Sequence, residues 1–94
     1  KIFLEKLKKE FKNTVENNVS ILDEYYNTGN YSGMRRIAHD IKGVAGIFGY
    51  DRGSELADEL LKLTDTGVKA KILDSNNKLI QYLNEKVLEK KTEE

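Results

Sequence analysis

The chain has 94 residues, enough for one domain with a modest core, and its 16 basic and 16 acidic side chains cancel to a formal charge of zero. That balance leaves no bulk field favouring nucleic acid or a membrane surface, and the absence of cysteine excludes disulfides and thiolate metal sites and fits a reducing, cytoplasmic setting. No apolar run reaches the length of about 20 residues that a bilayer crossing needs, and no signal peptide is visible.

Residues 1 to about 27 read as one long helix. Leu4, Leu7, Phe11, Val15, Asn18, Leu22 and Tyr25 recur at steps of three and four, which marks one buried face. Ile2, Phe3, Val19, Ile21 and Tyr26 widen that stripe, and the charged run Lys6 to Glu16 supplies the wet side. Asn13-Thr14 and Asn17-Asn18 are weak helix formers where a break is conceivable. Asn27-Thr28-Gly29-Asn30 is a turn cluster that ends the helix. The second helix runs from about Tyr31 to Phe48, with Asn30 or Ser32 as N-cap; Met34, Ile37, Ile41, Ala45 and Phe48 form its apolar face. Gly49 is suited to the left-handed conformation that closes a helix.

The third helix starts near Asp51, taken as its N-cap, and reaches Leu63 or Thr64, with Leu56, Ala57, Leu60 and Leu63 facing the core. Asp65-Thr66-Gly67 ends it. The fourth spans about Val68 or Ala70 to Glu89, with Ile72, Asn76, Leu79, Leu83 and Val87 in one line, broadened by Leu73, Ile80 and Leu88. Asn76 interrupts that line and is read as lying at its edge. Residues 1–89 are taken as one domain, and 90–94 as a charged tail that frays or continues as a linker. A start at Lys1 reads as a processed chain or a domain cut from something longer. Four amphipathic helices with short connections predict an all-α fold, an antiparallel up-down-up-down four-helix bundle.

The chemistry gathers in residues 38–49, AHDIKGVAGIFG, which hold the single histidine, His39. At 3.6 residues per turn, His39, Lys42, Gly43 and Gly46 share one face of the second helix, away from its apolar stripe. Interior helical glycine costs about 1 kcal/mol relative to alanine, so two of them need a reason. Either another protein lays its backbone over His39 and the glycines clear the space, or a sister helix of the same domain comes close there. Arg35 and Arg36 flank the histidine; they serve solubility, or they attract an acidic site on a partner. Equal rise on either side of the corner at Gly49 puts residues 58–62 level with His39, with Asp58 the nearest carboxylate and Leu61 and Lys62 the next candidates.

The string H-D-I-K-G-V-A-G-I-F-G resembles the pattern of histidine-containing phosphotransfer (HPt) domains, H-x-x-K-G followed by a glycine-rich helix end. It is especially similar to the phosphoacceptor domain of chemotaxis-type histidine kinases, and the run from Gly29 to Ala38 also looks like that family's approach to the histidine. The resemblance implies that His39 accepts a phosphoryl group through its outer ring nitrogen and that Lys42 steadies the phosphate oxygens. It implies exchange with an aspartate of a response-regulator receiver domain, with a histidine kinase catalytic domain, or with both. The chain holds neither a nucleotide loop nor a magnesium-binding acidic cluster, so it would carry no cofactor of its own and Mg²⁺ would come from the partner. That makes it a phosphoryl carrier rather than a stand-alone enzyme. The family glutamate that bonds the histidine in the chemotaxis relatives aligns with Leu61, and Asp58 is the candidate to orient the histidine instead. Two alternatives stand beside the relay: a substrate domain of a larger kinase, and a helical interaction module in which His39 is incidental.

Overall fold

The computed structural model describes residues 2–90, the side chain of Ile2 excepted. Those residues form four α-helices and no strand: α1 (Ile2–Thr28), α2 (Tyr31–Ile47), α3 (Asp51–Thr64) and α4 (Lys69–Tyr82), the last continued by a π-helical turn (Leu83–Val87). The expected all-helical class is therefore observed. Residues 91–94 of the charged tail lie outside the described residues.

The helix starts and stops follow local chemistry. Asn30 caps α2, its Oδ1 accepting from the Gly33 amide at 3.0 Å. Ser32, the alternative cap, instead donates to the same Asn30 oxygen at 3.2 Å. At the α2–α3 corner Gly49 has φ +85°, and the Tyr50 amide reaches back to the Ala45 carbonyl at 2.9 Å. The cap of α3 is Tyr50, not Asp51: the Tyr50 carbonyl already accepts from the Ser54 amide at 3.0 Å, so Asp51 falls inside the first turn. There its charge suits the positive end of the helix. The weak helix formers in α1 cause no break, because Asn18 is held in the buried face with Phe11, Val15 and Leu22.

The core is built from Met34, Ala38, Ile41 and Ala45 of α2 against Leu56, Ala57 and Leu60 of α3, closed by α1 and by Ile72, Leu79, Leu83 and Val87. Burial of these stripes supplies most of the stability, since isolated helices of such length are marginal. The small residues Ala38, Ala45 and Ala57 are fully buried, and α2 and α3 share the most extensive interface. Arg35 pairs with Asp65, Lys42 with Asp58, and Gly46 lies against Ser54, so each step forward on α2 is a step back on α3.

Four further expectations need correction. Leu4 is 59 % exposed and Phe3 70 %, because Phe11 already stacks on Phe48 and Tyr50 at the α2–α3 corner, and the turns of α1 before it run past the end of α2. Leu73 is exposed rather than part of the α4 stripe. The last helix does not stay α-helical to Glu89: after Tyr82 it widens, the Leu88 amide bonding the Leu83 carbonyl five residues back at 2.9 Å. Asn76 sits in the core, not at its edge; it is 0 % exposed, and neither amide atom has a hydrogen-bond partner among the described residues.

Candidate functional site

The buried line of α2 fixes where its other faces point. Met34, Ala38, Ile41 and Ala45 turn inward, so His39, Lys42, Gly43 and Gly46 turn outward, and all four are exposed. The imidazole of His39 makes no hydrogen bond with any described residue. Both ring nitrogens are thus open to an incoming group.

The glycines below it separate the two readings of the sequence. A Cβ built on Gly43 would meet nothing within 4 Å, and one on Gly46 would meet only the Ser54 hydroxyl at 3.9 Å, an ordinary contact. Among the described residues no helix fills the space beside Gly43, and beside Gly46 only the Ser54 side chain of α3 comes within contact. The His39 face is a low track left open to solvent. Ser54, not singled out in the sequence, ties α3 to this track by donating its hydroxyl to the Lys42 carbonyl at 2.8 Å.

Lys42 and Asp58 are brought together, but Asp58 does not bond the histidine. Its Oδ1 accepts from Lys42 Nζ at 3.0 Å, and its Oδ2 faces Lys62 Nζ at 3.0 Å. The hydrogen bonds from Lys42 and then Lys62 hold the Asp58 carboxyl below the usual carboxylate range. Lys62, which the sequence placed with Leu61 near the level of His39, joins the cluster through its i, i+4 spacing from Asp58. The α2–α3 register puts half-buried Leu61, which has no polar atom to offer, level with His39.

Arg35 is paired with Asp65 on the end of α3, and Arg36 forms no ion pair among the described residues. Both are exposed near His39. A groove of about 210 Å³ between α1 and α2, lined by Phe11, Ile41, Val44 and Phe48, opens on the other flank of α2. At about 100° per residue, Val44 stands about 140° around the helix from His39, so the groove is not part of this site. Among the described residues no three His, Cys, Asp or Glu side chains gather where a metal ion could be held, and no helix is long and apolar enough to cross a membrane.

Compared with known protein families, residues 6–92 match the family described as the Hpt domain. No curated protein and no solved structure matches the chain.

Proposed function

We propose a function from one premise: the chain belongs to the Hpt domain family, the histidine-containing phosphotransfer domains of phosphorelays. His39 is the phosphoacceptor, and it exchanges the phosphoryl group with an aspartate of a response-regulator receiver domain. The observation that carries this reading is the exposed imidazole, without a hydrogen bond, above a track that Gly43 and Gly46 leave bare.

In the transfer, neutral His39 keeps its proton on Nδ1 and attacks phosphorus with the Nε2 lone pair. The new P–N bond forms as the bond from phosphorus to the aspartyl oxygen breaks, its electron pair returning to the receiver's carboxylate. The Nδ1 proton of the resulting imidazolium passes to water. Lys42, one turn on, supplies positive charge to the phosphoryl oxygens. A magnesium ion, which would be held by the partner, would screen the phosphoryl charge during transfer. Arg35 and Arg36 add positive charge to the docking face, and Gly43 and Gly46 let the partner's loops approach closely. The four helices form an antiparallel up-down-up-down bundle, a reading supported by the opposite stepping of α2 and α3. The cytoplasm is the proposed compartment, a reading with which the absence of cysteine is compatible.

A kinase catalytic domain as direct donor is the weaker variant of the same chemistry, because apolar Leu61 stands where the chemotaxis relatives carry a glutamate. The test is incubation with the small donor phosphoramidate, and then with phosphorylated receivers, read by intact mass. The parent gains one acid-labile phosphate and the His39→Gln variant gains none. Phosphate on both proteins would overturn the assignment of His39. Phosphate on neither, from either donor, would leave a helical interaction module.

A further inference from the structure

We infer that Asp58 is a parking site for Lys42: a positioning residue that holds the ammonium group on α3 while His39 is bare and releases it to the phosphoryl group when His39 is charged. The inference rests on the phosphoacceptor reading above.

The geometry has one cation too many for one anion. Asp58 carries a single negative charge, yet both its oxygens face an ammonium group at 3.0 Å, Lys42 from α2 and Lys62 from its own helix. Removing Lys42 would leave Asp58 still paired with Lys62, so the swap strands no carboxylate. The destination is close. Lys42 follows His39 by three residues, the spacing that makes side chains neighbours on a helix surface. A phosphoryl group there carries about two negative charges, by analogy with other phosphorylated side chains, against the one that Lys42 shares on Asp58. The mobility is also present: the Lys42 side chain is 47 % exposed and the Lys62 side chain 74 %, whereas Asp58, at 26 %, is the better anchored member. Exposed ion pairs of this kind exchange at little cost.

The arrangement has a consequence for the empty and loaded states. While His39 is bare, the charge of Lys42 is held on Asp58, so Lys42 is not a free cation beside the nucleophile. Once phosphate arrives, the same cation becomes its counter-ion. Asp58 therefore competes with the phosphoryl group for Lys42, and Lys62 weakens that competition.

The experiment compares the initial rate of phosphorylation of His39 by phosphoramidate, read by intact mass, in the parent, Asp58→Asn, Asp58→Glu, Lys42→Ala, Lys62→Ala and the Lys42→Ala/Asp58→Asn double variant. Asp58→Asn should speed uptake by about threefold, the scale of an exposed ion pair. Asp58→Glu should restore the parent rate. Lys62→Ala should slow uptake, since Asp58 then holds Lys42 alone. In the Lys42→Ala background, Asp58→Asn should have no further effect. An equal gain in both backgrounds would overturn the inference, because the carboxylate would then act through its field and not through Lys42. A second readout needs no phosphate: the side-chain nitrogen resonance of Lys42 should move when Asp58 becomes Asn in the unphosphorylated protein, and an unmoved signal would equally sink the parking role. Failure of the parent to take phosphate from phosphoramidate and from phosphorylated receivers alike overturns the phosphoacceptor reading, and is distinguished from failure of the parking role by that resonance.

Discussion

Two pairs of glycines occupy helices in this domain, and they do opposite things. Gly33 and Gly53 are each the third residue of a helix, and each is pressed by a tyrosine ring: a Cβ on Gly33 would stand 2.6 Å from Tyr25, and one on Gly53 2.8 Å from Tyr82. Gly43 and Gly46 face the open side of α2, where a Cβ would meet nothing or only a distant hydroxyl. The first pair is explained by packing within the domain. The second weakens its helix with little return from packing among the described residues, which fits the proposed docking of a partner there. A glycine marks a close approach, but only the neighbours say whether the approaching surface belongs to the same molecule.

That contrast can be broken by substitution. The largest effect on phosphoryl transfer is expected from Gly46→Lys, which plants a long side chain on the open track. Phosphoryl transfer from a receiver should slow by about tenfold or more, equivalent to about 1.4 kcal/mol, while the melting temperature holds or rises. Unchanged transfer would show that the partner does not touch this face. Gly33→Ala and Gly53→Ala should do the reverse. Each forces a Cβ into a tyrosine ring and should cost about 1–3 kcal/mol, lowering the melting temperature by several degrees with the His39 chemistry intact in the folded fraction.

A smaller effect sharpens the same comparison. Gly43→Ala places a methyl group in open space on a helix and should stabilise the domain by about 0.5–1 kcal/mol in thermal or denaturant unfolding. A loss of stability would mean that the space is not open in solution. The smallest effect concerns acid. The Asp58 carboxyl is held below its ordinary value by Lys42 and Lys62. Its stabilising contribution is therefore present at pH values above the unfolded carboxyl's pKa and is lost as pH falls through the lower folded value. The difference in melting temperature between the parent and Asp58→Asn should hold steady near neutrality and close only below the ordinary carboxylate range.

How much of this was legible beforehand follows a physical division. The helices were, because periodic apolar residues and the Asn30 and Gly49 signals are local. The level of Asp58 with the histidine's neighbourhood was legible too, because equal rise on both sides of a short corner is arithmetic. What escaped depends on distant neighbours. The exposure of Leu4 is set by where α2 ends, not by the pattern of α1. Asn76 looked like an edge residue from its polarity, yet its place in line with Ile72 and Leu79 takes it fully inside. The site shows the same limit: the sequence offered Asp58 as the group that orients His39, and the structure pairs it with Lys42 and Lys62 instead. The reading of Gly43 and Gly46 was left open for the same reason, since the space beside a helix is not written in that helix.

The opposed stepping of α2 and α3 also makes the site sensitive to length. Lys42 and Asp58 meet because they lie equally far from the corner at Gly49 and Tyr50. Inserting one residue between them within either helix would turn the residues beyond it by about 100° and break the match. The same insertion in the turn before Asn30, or after Thr66, would leave that count untouched. Residues 39–58 thus behave as a segment of fixed gauge, where side chains can be exchanged one at a time but the chain can be neither lengthened nor shortened.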